Sequence, residues 1–114
     1  VLIGGMGMAP SGNIGERHAM FEPVHGSAPD IAGQRKANPI GSILSGKMML
    51  EWLALKHSDK ACERAAARIE EAVSSVLSEE SIRTPDLCYG KYSGITPSTT
   101  SEVGDAIVQK IEKP

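Results

Sequence analysis

The stretch His25–Pro39, HGSAPDIAGQRKANP, decides how the rest of the chain is read. It holds two prolines and two glycines among polar side chains, more specification than a surface connection needs. Its end, Asn38-Pro39, predicts a helix start, with Asn as N-cap and Pro at the first helical position. The residues before it, His18–Val24 (HAMFEPV), predict a short strand. A strand on one side and a helix on the other make the class α/β.

Working outward, Val1–Met8 reads as a short buried strand running into glycines, and Ala9–Gly15 (APSGNIG) as turn chemistry. Beyond Pro39, the apolar residues Ile43, Leu44, Met48, Met49, Trp52 and Leu53 recur at helical spacing, and that helix is expected to stop near Lys56-His57. Ser58 and Asp59 can cap a second helix, whose apolar stripe is Ala61, Ala65, Ala66, Ile69, Ala72, Val73, Val76 and Leu77. Arg83–Pro97 reads as a loop. Thr99-Thr100-Ser101-Glu102 has capping-box form, and a last helix follows with Val103, Ala106, Ile107, Val108 and Ile111 inside. There are no internal repeats. The order strand, strand, helix, helix, helix has too few strands for a complete sheet. With VLIGGMGM opening mid-strand, this predicts a piece of a larger chain. Without the missing strands, the faces around Met48, Trp52, Val73 and Val76 are expected to lack partners, giving exposed apolar surface or self-association.

The chain has 114 residues, of which 40% are hydrophobic and 23% charged, the profile of one ordinary globular domain. A net charge of −2 gives no electrostatic footprint for nucleic acid or an anionic membrane. No apolar run is long enough to span a bilayer. Cys62 and Cys88 form no CxxC pair, which argues against a disulfide framework or a zinc site and makes a reducing, cytoplasmic location the expectation.

Several motifs fail on inspection. Gly41–Met48 (GSILSGKM) nearly matches a phosphate loop, but Met48 replaces the hydroxyl residue and the stretch lies inside a helical pattern. GGMGMAP breaks the dinucleotide-binding glycine pattern at Pro10. The spacing of His18, Glu22 and His25 fits no common metal motif.

The 25–39 stretch is different. Gly26, Ser27 and Ala28 are small enough for a ligand to approach the backbone, and Pro29 and Pro39 stiffen it. The helix start after Pro39 favours anionic groups. Asp30 offers two acceptors suited to the 2′- and 3′-hydroxyls of a ribose. His25 offers a flat ring, and Asn38 an amide for a purine edge. These residues sketch an adenosine pocket. An ordered loop that packs on its own prolines would use the same residues, so chemistry alone leaves both readings open.

Residues Gly4–Leu53, above all FEPVHGSAPDIAG followed by ANP, closely resemble the β-decarboxylating dehydrogenases, the family of 3-isopropylmalate, isocitrate, homoisocitrate and tartrate dehydrogenases. The later TPDL and TTSEVGDAI resemble that family's C-terminal end. The resemblance implies the C-terminal part of the larger domain of a three-layer αβα fold that is not a Rossmann fold. It also implies that the adenosine half of NAD sits on this stretch. His25, Gly26, Ser27 and Ala28 would line the adenine side, Asp30 would take the ribose hydroxyls, and Asn38 would bind the adenine ring. Pro29, Ile31, Ala32 and Gly33 would complete the cofactor loop.

NADP-using bacterial isocitrate dehydrogenases resemble this segment but place Lys-Tyr at Asp30-Ile31. They also place a Tyr and an Arg at positions near Pro85 and Tyr89. A carboxylate beside a 2′-phosphate would repel it, so NAD is the expected cofactor, with Arg35 facing solvent. The family acts on a 2-hydroxy acid with Mg2+ or Mn2+, and it works as a homo-oligomer, a dimer or higher. Its metal aspartates and its Lys and Tyr for proton transfer precede the point where this chain begins. No catalytic residue or metal ligand is therefore assigned here. The first choice of substrate is 3-isopropylmalate, which would place the enzyme in leucine biosynthesis. A nucleotide-binding regulatory subunit or a truncated paralogue is the non-catalytic alternative.

Overall fold

Asp59 and Thr99 show why the second and third helices start where they do. The Asp59 carboxylate accepts from the amides of Ala61 (2.9 Å) and Cys62 (3.1 Å), which would otherwise be unpaired at a helix start. The Thr99 hydroxyl accepts from the Glu102 amide (3.1 Å) while the Glu102 carboxylate accepts from the Thr99 amide (2.9 Å), the reciprocal pair expected of a capping box. The computed structural model describes residues 8–79 and 81–113. Among them run β1 (Pro10–Ile14), β2 (Ala19–Pro23), α1 (Ile40–His57), α2 (Lys60–Ser78) and α3 (Thr100–Glu112). Short 3-10 turns stand at Pro29–Ile31, Pro85–Leu87 and Gly90–Tyr92. The class is α/β, as expected. The strand expected over Val1–Met8 lies almost wholly outside the described residues, as does most of GGMGMAP.

The first strand stands where a turn was expected. Pro10–Ile14 pairs antiparallel with Ala19–Pro23, from Pro10 opposite Pro23 to Ile14 opposite Ala19. The turn residues mislead because two of them serve the pairing. A Cβ on Gly12 would lie 3.1 Å from the Phe21 ring and 3.3 Å from the Met48 methyl, so this glycine lets the ring lie across the hairpin. Each proline sits at the open end of its strand, where its missing N–H costs the ladder little. The hairpin seats on α1: Phe21 meets Trp52 at 6.2 Å between ring centroids, and the Lys56 ammonium lies 4.7 Å from the Trp52 ring. Lys56 Nζ also donates to the Arg17 carbonyl at 3.2 Å, pinning the hairpin tip.

α2 packs between α1 and α3. The core is Met8, Ile40, Ala72, Val73, Val76, Leu87, Val103 and Ile107. Val73 and Val76 are therefore covered, contrary to the expectation that they would lack partners; α3 and the 83–98 loop supply the cover. The exposed apolar surface lies elsewhere. Leu55 is 85% exposed, and Ile14 and Met20 on the hairpin are more than half exposed. Met49 and Val108, both placed inside by helical spacing, are substantially exposed at 42% and 50%. Each lies at the margin of its helix's stripe, beyond the reach of the neighbouring helix.

The Asp59 and Glu102 caps give stability a defined dependence on acid. The Cys62 amide first, then its thiol and the Ala61 amide, hold the Asp59 carboxyl below its ordinary value. The Thr99 amide first, then its hydroxyl, do the same for Glu102. Both carboxyls titrate lower in the folded state than in the unfolded one. Their contribution is therefore complete above the ordinary carboxylate range, about pH 4, and is lost as pH falls through the depressed values. The thermal midpoint should fall on that side of the range, and less steeply in a D59N/E102Q variant. Equal slopes for the two proteins would show that the caps add nothing.

Candidate functional site

The segment after β2 is given its shape by three residues with left-handed backbone: Ala28 (φ 44°), Gly33 (φ 78°) and Arg35 (φ 60°). Two of the three are not glycine, and each such residue costs roughly 1–2 kcal/mol. Ala28 turns the chain into the Pro29–Ile31 turn, closed by the Ile31 amide donating to the Ala28 carbonyl (3.1 Å). Gln34 Nε2 donates back to the Asp30 carbonyl at 2.9 Å. The start of α3 holds the far end: the Thr100 amide donates to the Arg35 carbonyl (3.1 Å) and its hydroxyl to the Ala37 carbonyl (2.5 Å).

Asn38 is buried, and both ends of its amide are engaged. Its Oδ1 accepts from the Ile40 amide (3.0 Å), but α1 begins one residue later than expected, with Pro39 rather than Asn38 at the N-cap and Ile40 as the first helical residue. Its Nδ2 donates to Asp86 Oδ2 (3.0 Å). Asp86 Oδ1 in turn accepts from the Thr84 hydroxyl at 2.5 Å. The 83–98 loop that carries Asp86 is held at its base. The Ser98 amide donates to the Arg83 carbonyl (2.5 Å), and the Arg83 amide donates to Ser98 Oγ (3.2 Å). The Arg83 guanidinium is buried 3.6 Å from the Tyr92 ring and donates to the Leu77 carbonyl (2.8 Å). Leu87 anchors the same loop in the core.

Between these two loops lies a cavity of about 520 Å³. His25, Gly26, Ser27, Ala28, Ile31 and Asn38 line it, all six read from the sequence as site residues. Lys36, Ala37, Pro85 and Asp86 complete the wall. Ala32 and Gly33 line a smaller adjoining hollow together with Arg35 and Thr100. Pro29 and Asp30 line neither; Asp30 stands exposed in the middle of the 3-10 turn. Arg35 is exposed, as expected. Of the two positions noted on the later loop, Pro85 reaches the cavity, whereas Tyr89 is 58% exposed and does not.

A Cβ added at Gly26 would meet no heavy atom within 4 Å. The protein's own packing does not require this glycine, which leaves the space before it free for a ligand. His25 Nδ1 donates to the Gly26 carbonyl at 2.8 Å, and Nε2 is buried with no partner among the described residues. The helix start is no open anion site: Ile40 and Gly41 are buried, and Asn38 occupies the Ile40 amide. Sequence reasoning missed Lys36 and Asp86 as wall residues. Asp86 lies 48 positions from the side chain it bonds, a separation without a periodic signal. Among the described residues, no three His, Cys, Asp or Glu side chains gather as metal ligands, and no helix is long and apolar enough to cross a membrane.

Residues 1–107 match the isocitrate/isopropylmalate dehydrogenase family. The isocitrate/homoisocitrate dehydrogenase of Thermus thermophilus is 58% identical over 86 residues, which are 75% of this chain and 23% of that protein. The 3-isopropylmalate dehydrogenase of Moorella thermoacetica is 48% identical over 113 residues, 99% of this chain and 29% of that protein. The crystal structure of a β-decarboxylating dehydrogenase from Thermococcus kodakarensis in its apo form superposes with a TM-score of 0.74 at 43% identity, over 94% of this chain and 27% of that one. The chain thus spans about a quarter of the length of the curated relatives it matches.

Proposed function

The chain belongs to the isocitrate/isopropylmalate dehydrogenase family, and on that premise we propose that it supplies the adenosine half of an NAD site in a dehydrogenase that oxidatively decarboxylates a 2-hydroxy acid. The observation that carries this reading is the cavity itself. It joins the small residues 26–28, with open space at Gly26, to a polar wall of Asn38 and Asp86. That combination fits a flat heterocycle with a polar edge. His25 lies beside the ring. Asp30, exposed on its turn next to the cavity, receives the ribose hydroxyls and disfavours a 2′-phosphate, so NAD is preferred to NADP. When bound, the dinucleotide supplies the hydride acceptor, and a Mg2+ or Mn2+ ion supplies the Lewis acid for loss of the carboxylate. This segment's residues bind and orient the adenosine end. The metal ligands and the substrate groups belong to the length of its relatives that this chain does not cover. The whole enzyme is proposed to be a cytoplasmic homo-oligomer, with 3-isopropylmalate as first substrate and isocitrate, homoisocitrate or tartrate as alternatives.

The test is steady-state turnover by the full-length protein with magnesium, comparing NAD with NADP on 3-isopropylmalate and on isocitrate. The expected result is turnover of 3-isopropylmalate with kcat/KM far higher for NAD. Preference for NADP would overturn the role given to Asp30. Binding of NAD with no turnover of any of the acids would favour a regulatory subunit.

A further inference from the structure

We propose that the outer groove between α1 and α2 is an interface with a second copy of this chain, each copy setting its Leu55 into the other's groove about a two-fold axis. The inference is independent of the cofactor reading, and either can fail without the other. It adds to the proposed homo-oligomer the surface that a contact between subunits would use.

α1 ends and α2 starts on either side of Ser58-Asp59, so the two helices run antiparallel and side by side. Between them lies a hollow of about 650 Å³, floored by Ala54, Ala66 and Ala67 and flanked by Leu55. None of these four belongs to the core that joins α1, α2 and α3. The alanines let a large side chain from outside come close to both helices. Leu55, 85% exposed, is such a side chain, and burying it removes apolar surface from water. In a two-fold contact the same patch serves both partners, so a knob needs its hole on the same surface. Leu55 itself lines the hollow, which places knob and hole side by side.

The charges on the rim select the same arrangement. Lys60 stands at the end of the hollow where α2 starts, and Glu70 stands about 15 Å further along that helix. Glu51 of α1 shares the Glu70 end, because the Lys47 ammonium reaches both carboxylates, at 3.4 and 3.6 Å. That end therefore holds two carboxylates for one ammonium. Lys60 has only Glu63 beside it, at 3.3 Å, and both side chains are largely exposed, a pairing that contributes little and yields readily to another. A two-fold axis through the middle of the hollow turns one copy end for end. It sets Lys60 of each copy over Glu51 and Glu70 of the other, while each Leu55 enters the facing alanines. Laid in the same direction instead, the two copies would oppose carboxylate to carboxylate.

The experiment is sedimentation equilibrium of the full-length protein as wild type, L55R, K60E and K60E/E70K, at a concentration where wild type is fully assembled. L55R drives a charge into the facing apolar hollow and should halve the mass of the assembly. K60E should weaken the association by about tenfold. K60E/E70K restores opposite charges across the axis and should recover wild-type association to within about twofold. Glu70 lies too far along α2 to rescue Lys60 within one copy, so this recovery reads the contact between copies. An L55R assembly of wild-type mass overturns the proposal, as does a wild type that is monomeric. Loss of helical circular dichroism in L55R would show that the rest of the protein's own chain covers Leu55, and overturns it too. A K60E defect that E70K leaves in place overturns the two-fold arrangement.

Discussion

Replacing Asp30 with alanine in the full-length enzyme is expected to lower kcat/KM for NAD by about 100-fold, with most of the loss in KM. The carboxylate stands exposed on the Pro29–Ile31 turn and is proposed to accept from two ribose hydroxyls. Hydrogen bonds to a charged group are the strong ones, and losing two together accounts for a change of this order. Those bonds form in the ground state and persist in the transition state, so their loss appears as weaker binding with kcat little changed. NADP should respond in the opposite sense. Removing a negative charge from beside its 2′-phosphate removes a repulsion, so kcat/KM for NADP should rise while that for NAD falls. Steady-state kinetics with each cofactor at saturating hydroxy acid decides the matter. An unchanged KM for NAD would mean that Asp30 does not touch the ribose.

The second large effect concerns the frame that holds the site. Ile107 is 1% exposed and, with Val103, seats α3 on α2. Truncation to alanine leaves a cavity in the core and should cost about 2–5 kcal/mol. The loss should extend to the 25–38 loop, the proposed cofactor segment, because the first residue of α3, Thr100, bonds the Arg35 and Ala37 carbonyls. NAD affinity should therefore drop along with stability, although Ile107 touches neither cavity wall. Val108, one position on and half exposed, provides the control: V108A should stay within about 0.5 kcal/mol of wild type. Denaturant melts of the full-length protein measure both. Equal costs for I107A and V108A would contradict this account of how α3 is held.

The contrast between those two residues also marks how far the sequence can be read. Helical spacing placed Ile107 and Val108 on the same inner face, because a stripe drawn from periodicity has no sharp edge. Only the position of α2 separates them. The helix starts were legible because capping is local: Asp59 bonds residues two and three positions on, and Thr99 bonds one three positions on. In the hairpin the second strand was legible, as Ala19–Pro23 falls inside the strand expected over His18–Val24, but the first was not. Pro10 and Gly12 carry turn chemistry in their composition, but their use is set by Phe21 and Met48, which approach from elsewhere in the chain. The candidate site divides in the same way. The 25–38 side is contiguous and dense in unusual residues, so it was visible as a segment. The opposite wall, Pro85 and Asp86, arrives through a loop held by a buried arginine stacked on Tyr92 and by mutual bonds between Arg83 and Ser98. None of those contacts has a spacing rule.

The left-handed residues Ala28, Gly33 and Arg35 bear on the entropy of association. A loop free to sample many shapes would lose that freedom when a ligand arrives, and the loss would subtract from affinity. Here the cost of an unusual shape is met during folding, where the Thr100 bonds and the Asn38–Asp86 bond offset it. The ligand then encounters a surface already ordered. Binding can be fast and fully reversible, as the proposed dinucleotide role requires, because little chain has to be rearranged on either the way in or the way out.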